Sequence, residues 1–233
     1  MSAPATRTGR LLAHDGRIAG WLLAIWQCFL AGASFLAALA PLILFQALVG
    51  WQPTHLAIAL FGVAVLPVVP GLHALLVATG RVLDHGGAAR AGAVFWLAFR
   101  EGCGRLRGVA LSTGAVVVVL SYDLALFPED DAVTLVVLGF AITLIAVLLA
   151  ICATAAAAPA RGPALIAAAS AAAARRPHIV LAWLLLVALG TASCAVPVLG
   201  PSLMVFAPAL VALGIHICNR ALGFGPRIEQ ENL

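Results

Sequence analysis

Six long apolar runs constrain the fold of this chain more than any other feature. They lie at about 21–47, 57–79, 108–127, 132–156, 178–195 and 200–219. A helix needs roughly 20 apolar residues to cross a hydrocarbon core about 30 Å thick, and each run reaches or approaches that length. Hydrophobic residues make up 64% of the chain and charged residues only 9%, too few to cover a water-soluble globule. The runs predict an all-α polytopic membrane helix bundle with about six transmembrane helices.

The positive charges predict the orientation of these spans. All thirteen Lys and Arg residues are arginines. With both termini on one side, every one of them falls on that side, whereas the opposite connections "VGWQPTH", "FPEDD" and "AVPVLG" carry only acidic charges. By the positive-inside rule, the arginine-rich side is cytoplasmic. Because the absence of Lys and the high Ala content are typical of a GC-rich bacterial genome, we expect a multi-pass protein of the bacterial plasma membrane.

The same pattern predicts a single membrane domain. We expect a cytoplasmic N-terminal segment at 1–20, the six-span domain at 21–220 and a cytoplasmic tail at 221–233. The first apolar run is far longer than the apolar core of a secretory signal peptide, which favours an uncleaved helix. The net charge of +4 does not indicate nucleic-acid binding, because the arginines border spans instead of forming a patch on a folded domain.

Two long connections on the arginine-rich side, roughly 80–107 and 157–177, predict additional helices. In and just before "AGAVFWLAFREGCGRLRG", one helix face carries Phe95, Phe99, Cys103 and Leu106, and the other carries Arg90, Arg100 and Arg107. Such a helix would lie on the inner leaflet; alternatively, it extends the third span. The Ala-rich second connection repeats the scheme. The candidate contacts with lipid headgroups are Arg100, Arg105, Arg107, Arg175 and Arg176.

The second apolar run contains a predicted helix break. Pro67, Pro70 and Gly71 interrupt it, and the backbone groups that the prolines release must find partners in protein or water. We therefore expect the break to face the protein interior or a cavity. His73 follows the break and is the best candidate for a cavity-lining residue; the alternative is a neutral histidine hydrogen-bonded to a neighbouring carbonyl.

Three stretches together resemble the YesL-like family of small bacterial membrane proteins, which is defined by a domain of unknown function. They are "LPVVPGLHALLVATGRVLDHGG", "VFWLAFREGCGRLRG" and "GPALIAAASAAAARRPHIVLAWLLL". The family's usual Thr-x-Gly-Pro order is replaced here by "VPGL". The resemblance implies no activity, but it implies an association with carbohydrate uptake, since relatives are often encoded beside sugar transporters.

No catalytic or metal-binding pattern is found in the sequence. His216 and Cys218 are two residues apart, which points them about 200° apart on a helix and makes them poor joint metal ligands. Asp84 and His85 are expected in a solvated Gly-rich turn. The five cysteines have no metal-ligand spacing and are expected to be small buried hydrophobic residues. We therefore expect a protein that is not an enzyme and has no cofactor or metal.

The favoured function is an accessory or regulatory component of a membrane system, such as one for carbohydrate transport. Its expected partners are the lipid bilayer and a transporter or other membrane protein, with a homo-oligomer as a further possibility. The alternative is a small transporter or permease subunit, because the spans contain polar residues that need partners: Gln27, Gln46, His73, Asp123 and His216.

Overall fold

A computed structural model describes residues 17–50, 52–157, 160, 162–197 and 200–222. In this part of the chain all regular structure is helical. The helices are α1 (Arg17–Ala38), α2 (Ala40–Leu48), α3 (His55–Val65), α4 (Val68–His85), α5 (Ala91–Arg105), α6 (Arg107–Leu126), α7 (Asp131–Ala157), α8 (Gly162–Arg175), α9 (Pro177–Cys194) and α10 (Gly200–Ala221), with a 3₁₀ turn at Gly86–Ala88.

Six helical stretches are long and apolar enough to cross a membrane, which confirms the predicted all-α bundle and its number of spans. They are Ile18–Ala38, His55–Ala88, Arg107–Leu126, Asp131–Ala157, Pro177–Cys194 and Leu203–Ala221. The architecture is that of a multi-pass membrane protein. The described residues exclude most of the two predicted terminal segments, including Arg7, Arg10 and Arg227. They also exclude Arg161.

The first apolar run forms two helices where the sequence predicts one. α1 ends at Ala38 and α2 begins at Ala40, with Leu39 between them at φ −84° and ψ 3°. Pro41 occupies the first turn of α2, where its missing amide proton costs no helical hydrogen bond. A hydropathy pattern does not detect this break because both sides of it are equally apolar.

α4 is the central helix of the bundle. Ten of its eighteen residues are buried, and it packs against α1, α5, α7 and α10. The 3₁₀ turn reverses the chain, so that α5 returns antiparallel along α4. Gly86 in this turn has a φ of 55°, a left-handed conformation that glycine adopts without a steric penalty.

α5 is a separate helix that bends into α6 at a single residue, Leu106. Its buried face consists of Ala91, Phe95, Ala98 and Gly102. The expected apolar face is therefore only partly correct, because Cys103 is exposed. Partial desolvation still raises the pKa of the Cys103 thiol, which keeps it in the weakly nucleophilic protonated form at neutral pH. The position of α5 relative to the bilayer surface stays a prediction.

Close helix packing depends on glycines. A Cβ on Gly32 of α1 would lie 1.8 Å from the backbone carbonyl oxygen of Val205 on α10, and a Cβ on Gly114 of α6 would lie 3.0 Å from that of Gly62 on α3. Small residues of this kind let two helix backbones approach closely in lipid. They join α1 to α10 and α3 to α6.

α7 has two unlike halves. From Leu148 to Ala153 every residue is buried, whereas from Asp131 to Val147 only Val137 is buried. The C-terminal part of α7, here called its inner half, therefore belongs to the bundle core, whereas the outer half, from Asp131 to Val147, is largely exposed.

Candidate functional site

The predicted break in the second span lies between α3 and α4. α3 ends at Val65 and α4 begins at Val68. The Leu66 amide donates to the Val63 carbonyl at 3.1 Å, which closes a tight final turn. Pro70 and Gly71 lie in the first turn of α4 and are buried. Just after the break, the chain is therefore packed against other parts of the protein.

His73 lies inside the bundle, with 2% of its surface exposed. Its ring packs against Gly102 of α5, where an added Cβ would be 3.2 Å from the histidine Cδ2. It also faces the backbone of Cys152 on α7. Among the described residues, His73 Nδ1 has no hydrogen-bond partner. His73 lines neither the polar nor the apolar cavity beside α4 and α10, and its role as a cavity-lining residue stays a prediction.

Arg105 differs from the expectation that it contacts lipid headgroups. Its side chain is only 8% exposed. Nη1 donates to the Ala155 carbonyl at 3.0 Å, and Nε and Nη2 donate to the Ala160 carbonyl at 3.1 and 2.6 Å. Glu101, one turn earlier, lies 4.0 Å from the guanidinium. Arg105 thus caps the C-terminal end of α7 with a planar fork of donors.

The other predicted headgroup arginines divide into two groups. Arg100, Arg107 and Arg175 are exposed, so the expectation for them stays open. Arg176 instead donates from Nη1 to the Leu222 carbonyl, at 2.6 Å, just beyond the end of α10. Arg105 and Arg176 precede two different spans, and each donates to carbonyls at the end of another span.

A polar cavity of about 340 Å³ opens where three candidate spans end, on the arginine-rich side. α4, α7 and α10 contribute its walls, and its polar lining residues are Arg81, Asp84, His216, Asn219 and Arg220. Arg220 forms an ion pair and hydrogen bond with Asp84. Asp84 lies in the last turn of α4 and is paired with α10, so the expected Gly-rich turn begins only at Gly86. Its side chain is 49% exposed, in line with the expected solvation.

Two further hydrogen bonds orient the cavity walls. The His216 ring donates from Nε2 to the Leu76 carbonyl at 2.7 Å, and the Trp183 indole donates to Asn219 Oδ1 at 2.9 Å. Because the indole nitrogen can only donate, it binds the amide oxygen of Asn219. The amide NH₂ group of Asn219 then remains available to a bound molecule.

A second, apolar cavity of about 400 Å³ lies deeper along the same helices. Leu76 borders both cavities. The apolar cavity is also lined by Leu149 of α7, Ile215 of α10 and Thr191 of α9. The molecule therefore places a polar space at the end of the bundle and an apolar space directly beneath it.

Gln27 is the polar span residue with the clearest structural role. Its Oε1 accepts the Ala91 amide at 2.7 Å, and its Nε2 donates to the Gly87 carbonyl at 3.3 Å. It thus fixes the turn between α4 and α5 to α1. The sequence marked Gln27 only as a polar residue in need of a partner. The two hydrogen bonds span 60 and 64 residues, and no local pattern reveals them.

Within the described residues, no group of three or more His, Cys, Asp or Glu side chains is placed to hold a metal ion. No family model, no curated protein and no solved structure matches this chain.

Proposed function

We infer that this multi-pass membrane protein is a non-catalytic accessory or regulatory subunit of a membrane complex. The observation that carries the inference is the outer half of α7. Nearly five turns of this helix, from Asp131 to Val147, have a single buried residue. The helix therefore presents a long surface on which a membrane partner can pack.

The outer half of α7 has the properties of a helix-packing surface in lipid. Leu135 is 68% and Phe140 59% exposed, and a Cβ added to Gly139 meets no atom within 4 Å. Gly139 and Thr143 lie four residues apart on one face, the small-xxx-small spacing that allows close helix contacts. The Thr143 hydroxyl donates to the Gly139 carbonyl at 2.8 Å, so this face carries no unpaired hydroxyl proton.

A carbohydrate transporter is the first partner to test. The resemblance to YesL-like proteins supports this choice, because relatives in that family are often encoded beside sugar transporters. A second copy of the chain is the alternative partner. The proposed location is the bacterial plasma membrane, with the arginine-rich side in the cytoplasm, and the charge distribution supports that orientation.

Site-specific photo-crosslinking in native membranes tests this function. A photoreactive amino acid replaces Leu135 or Phe140 on α7, and Leu185 on α9 is the matched control because it is 69% exposed. We expect protein crosslinks from the two α7 positions and only lipid adducts from Leu185. Mass spectrometry of the adduct then separates a transporter subunit from a second copy. Lipid adducts alone at all three positions would contradict the accessory function.

A small transporter or permease subunit is the second candidate function. The two cavities that meet at Leu76 support it, since they lie in series along α4 and α10. The test is sugar uptake into liposomes that contain the purified protein alone. Uptake above that of empty liposomes would favour transport by this chain itself.

A further inference from the structure

We propose that the two cavities together hold one anionic phospholipid from the leaflet on the arginine-rich side. The phosphate would occupy the polar cavity, and one acyl chain would occupy the apolar cavity. This site is distinct from the exposed outer half of α7, and its occupation does not depend on a protein partner.

The polar cavity offers mainly hydrogen-bond donors. Arg81 and Arg220 carry positive charge, Asp84 is the one acidic residue in the lining, and these three leave a net charge of +1. Asp84 is already paired with Arg220, and Asn219 directs its oxygen to Trp183. Among the described residues, the Arg81 guanidinium has no hydrogen bond or ion pair. Two guanidinium groups and an amide NH₂ group match the oxygens of a phosphate.

Capping of helix ends does not account for Arg81 and Arg220. Helix C-termini carry partial negative charge, and α4, α7 and α10 all end near this cavity. However, Arg105 donates to the Ala155 carbonyl near the end of α7, and Arg176 donates to the Leu222 carbonyl beyond α10. The third end is that of α4, whose capping bond is donated by the Gly86 amide to the Val82 carbonyl. Because the Arg81 guanidinium binds no helix-end carbonyl of the described residues, it remains available to a ligand.

The location of the polar cavity suits a headgroup. It is lined by the last turns of two candidate spans, which end at Ala157 and Ala221. Basic pockets between transmembrane helices at this depth bind anionic headgroups. The phosphate of a lipid would therefore reach the cavity without leaving the interface.

The apolar cavity has the length and the access that an acyl chain requires. The two cavities extend along α10 from Arg220 to Met204, sixteen residues or about 24 Å of helix. One leaflet of hydrocarbon is about 15 Å thick, half of the bilayer core, so a headgroup and a chain fit this distance. Thr191 and Met204 line the apolar cavity and are themselves exposed, which gives a chain a path from the bilayer.

Native mass spectrometry of the purified full chain tests the proposal. The protein is titrated with phosphatidylglycerol, with phosphatidylcholine of identical chains, and with inorganic phosphate. Arg81→Gln is compared with Arg100→Gln, an exposed arginine outside the cavity. Thr191→Phe, which fills the apolar cavity, is compared with Thr143→Phe. Both threonines are exposed and donate to their own helix backbone. The unfolding midpoint of each variant is measured to establish that it is folded. If either phenylalanine variant is not folded, Thr191→Leu and Thr143→Leu replace the two phenylalanine variants.

We expect one tightly held phosphatidylglycerol and weaker binding of phosphatidylcholine. Arg81→Gln should weaken phosphatidylglycerol binding about fivefold, while Arg100→Gln changes it less than twofold. Thr191→Phe should displace the lipid and Thr143→Phe should not. The proposal is overturned if either variant equals its control. Inorganic phosphate could instead bind as tightly as the lipid, with an affinity that Thr191→Phe does not change. That result would assign the polar cavity to a free oxyanion and overturn the proposal. Arg81→Gln and Thr191→Phe lie outside the outer half of α7 and should leave crosslinking from Leu135 and Phe140 unchanged, so the two proposals fail independently.

Discussion

Replacement of Arg105 by Gln should destabilise the bundle more than the same replacement of any other arginine that the structure describes. The substitution removes three hydrogen bonds to the Ala155 and Ala160 carbonyls from a side chain that is 8% exposed. A hydrogen bond to a charged group contributes about 1.5–3 kcal/mol in soluble proteins, and interhelical hydrogen bonds in membranes average nearer 0.6 kcal/mol. With two carbonyl acceptors left without a charged donor, we expect a loss of about 2–4 kcal/mol in the free energy of unfolding.

Arg105→Lys separates charge from geometry. Lysine keeps the positive charge, but its single ammonium does not reproduce the planar fork that binds two carbonyls. We expect it to recover roughly half of the loss. Arg107→Gln is the matched control, because Arg107 is two residues away and exposed; its effect should remain within about 0.5 kcal/mol.

Equilibrium unfolding in mixed micelles, followed by circular dichroism, measures these free energies. If Arg105→Gln costs no more than Arg107→Gln, the capping role is wrong and Arg105 is a headgroup arginine as the sequence suggests. Equal stability of the Lys variant and the wild type would show that charge alone matters, and would refute the geometric part of the reasoning.

Three further outcomes are expected. Gly32→Ala forces α1 away from α10 and should cost about 1–3 kcal/mol of unfolding free energy. Gly20→Ala is the control, because a Cβ added at Gly20 meets no atom within 4 Å; it should be neutral or stabilising in the same unfolding titration. Gln27→Ala should cost about 1–2 kcal/mol and increase hydrogen exchange in the turn between α4 and α5. A maleimide should label the exposed Cys103 while the fully buried Cys152 stays unlabelled. Because the pKa of the Cys103 thiol is raised, its labelling rate should increase steadily as the pH rises above neutrality.

The number and class of the spans follow from the sequence because apolar length is a local property. The same holds for the break after α3, since proline removes a backbone donor wherever it stands. The sequence did not predict how α5 and α6 connect: an amphipathic helix next to a span looks the same whether it lies on a surface or packs along α4.

The roles of the arginines depend on distant partners. Arg100 and Arg105 both precede the third span in one short basic stretch, yet one is exposed and the other binds carbonyls fifty residues away. Asp84 and Arg220 are likewise separated by 136 residues. Only the tertiary arrangement distinguishes a charge that contacts lipid from one that closes the end of a helix.

The enclosure of α4 on most sides affects how this chain can diverge during evolution. Ten of its residues are buried against other helices, so most replacements there disturb packing whatever the protein does. Chains with different activities but the same architecture would therefore retain similar residues in "VVPGLHALLVATGRVLDH". Similarity in the α4 sequence would indicate common ancestry of the scaffold. Differences in function would correspond to sequence differences in the exposed outer half of α7.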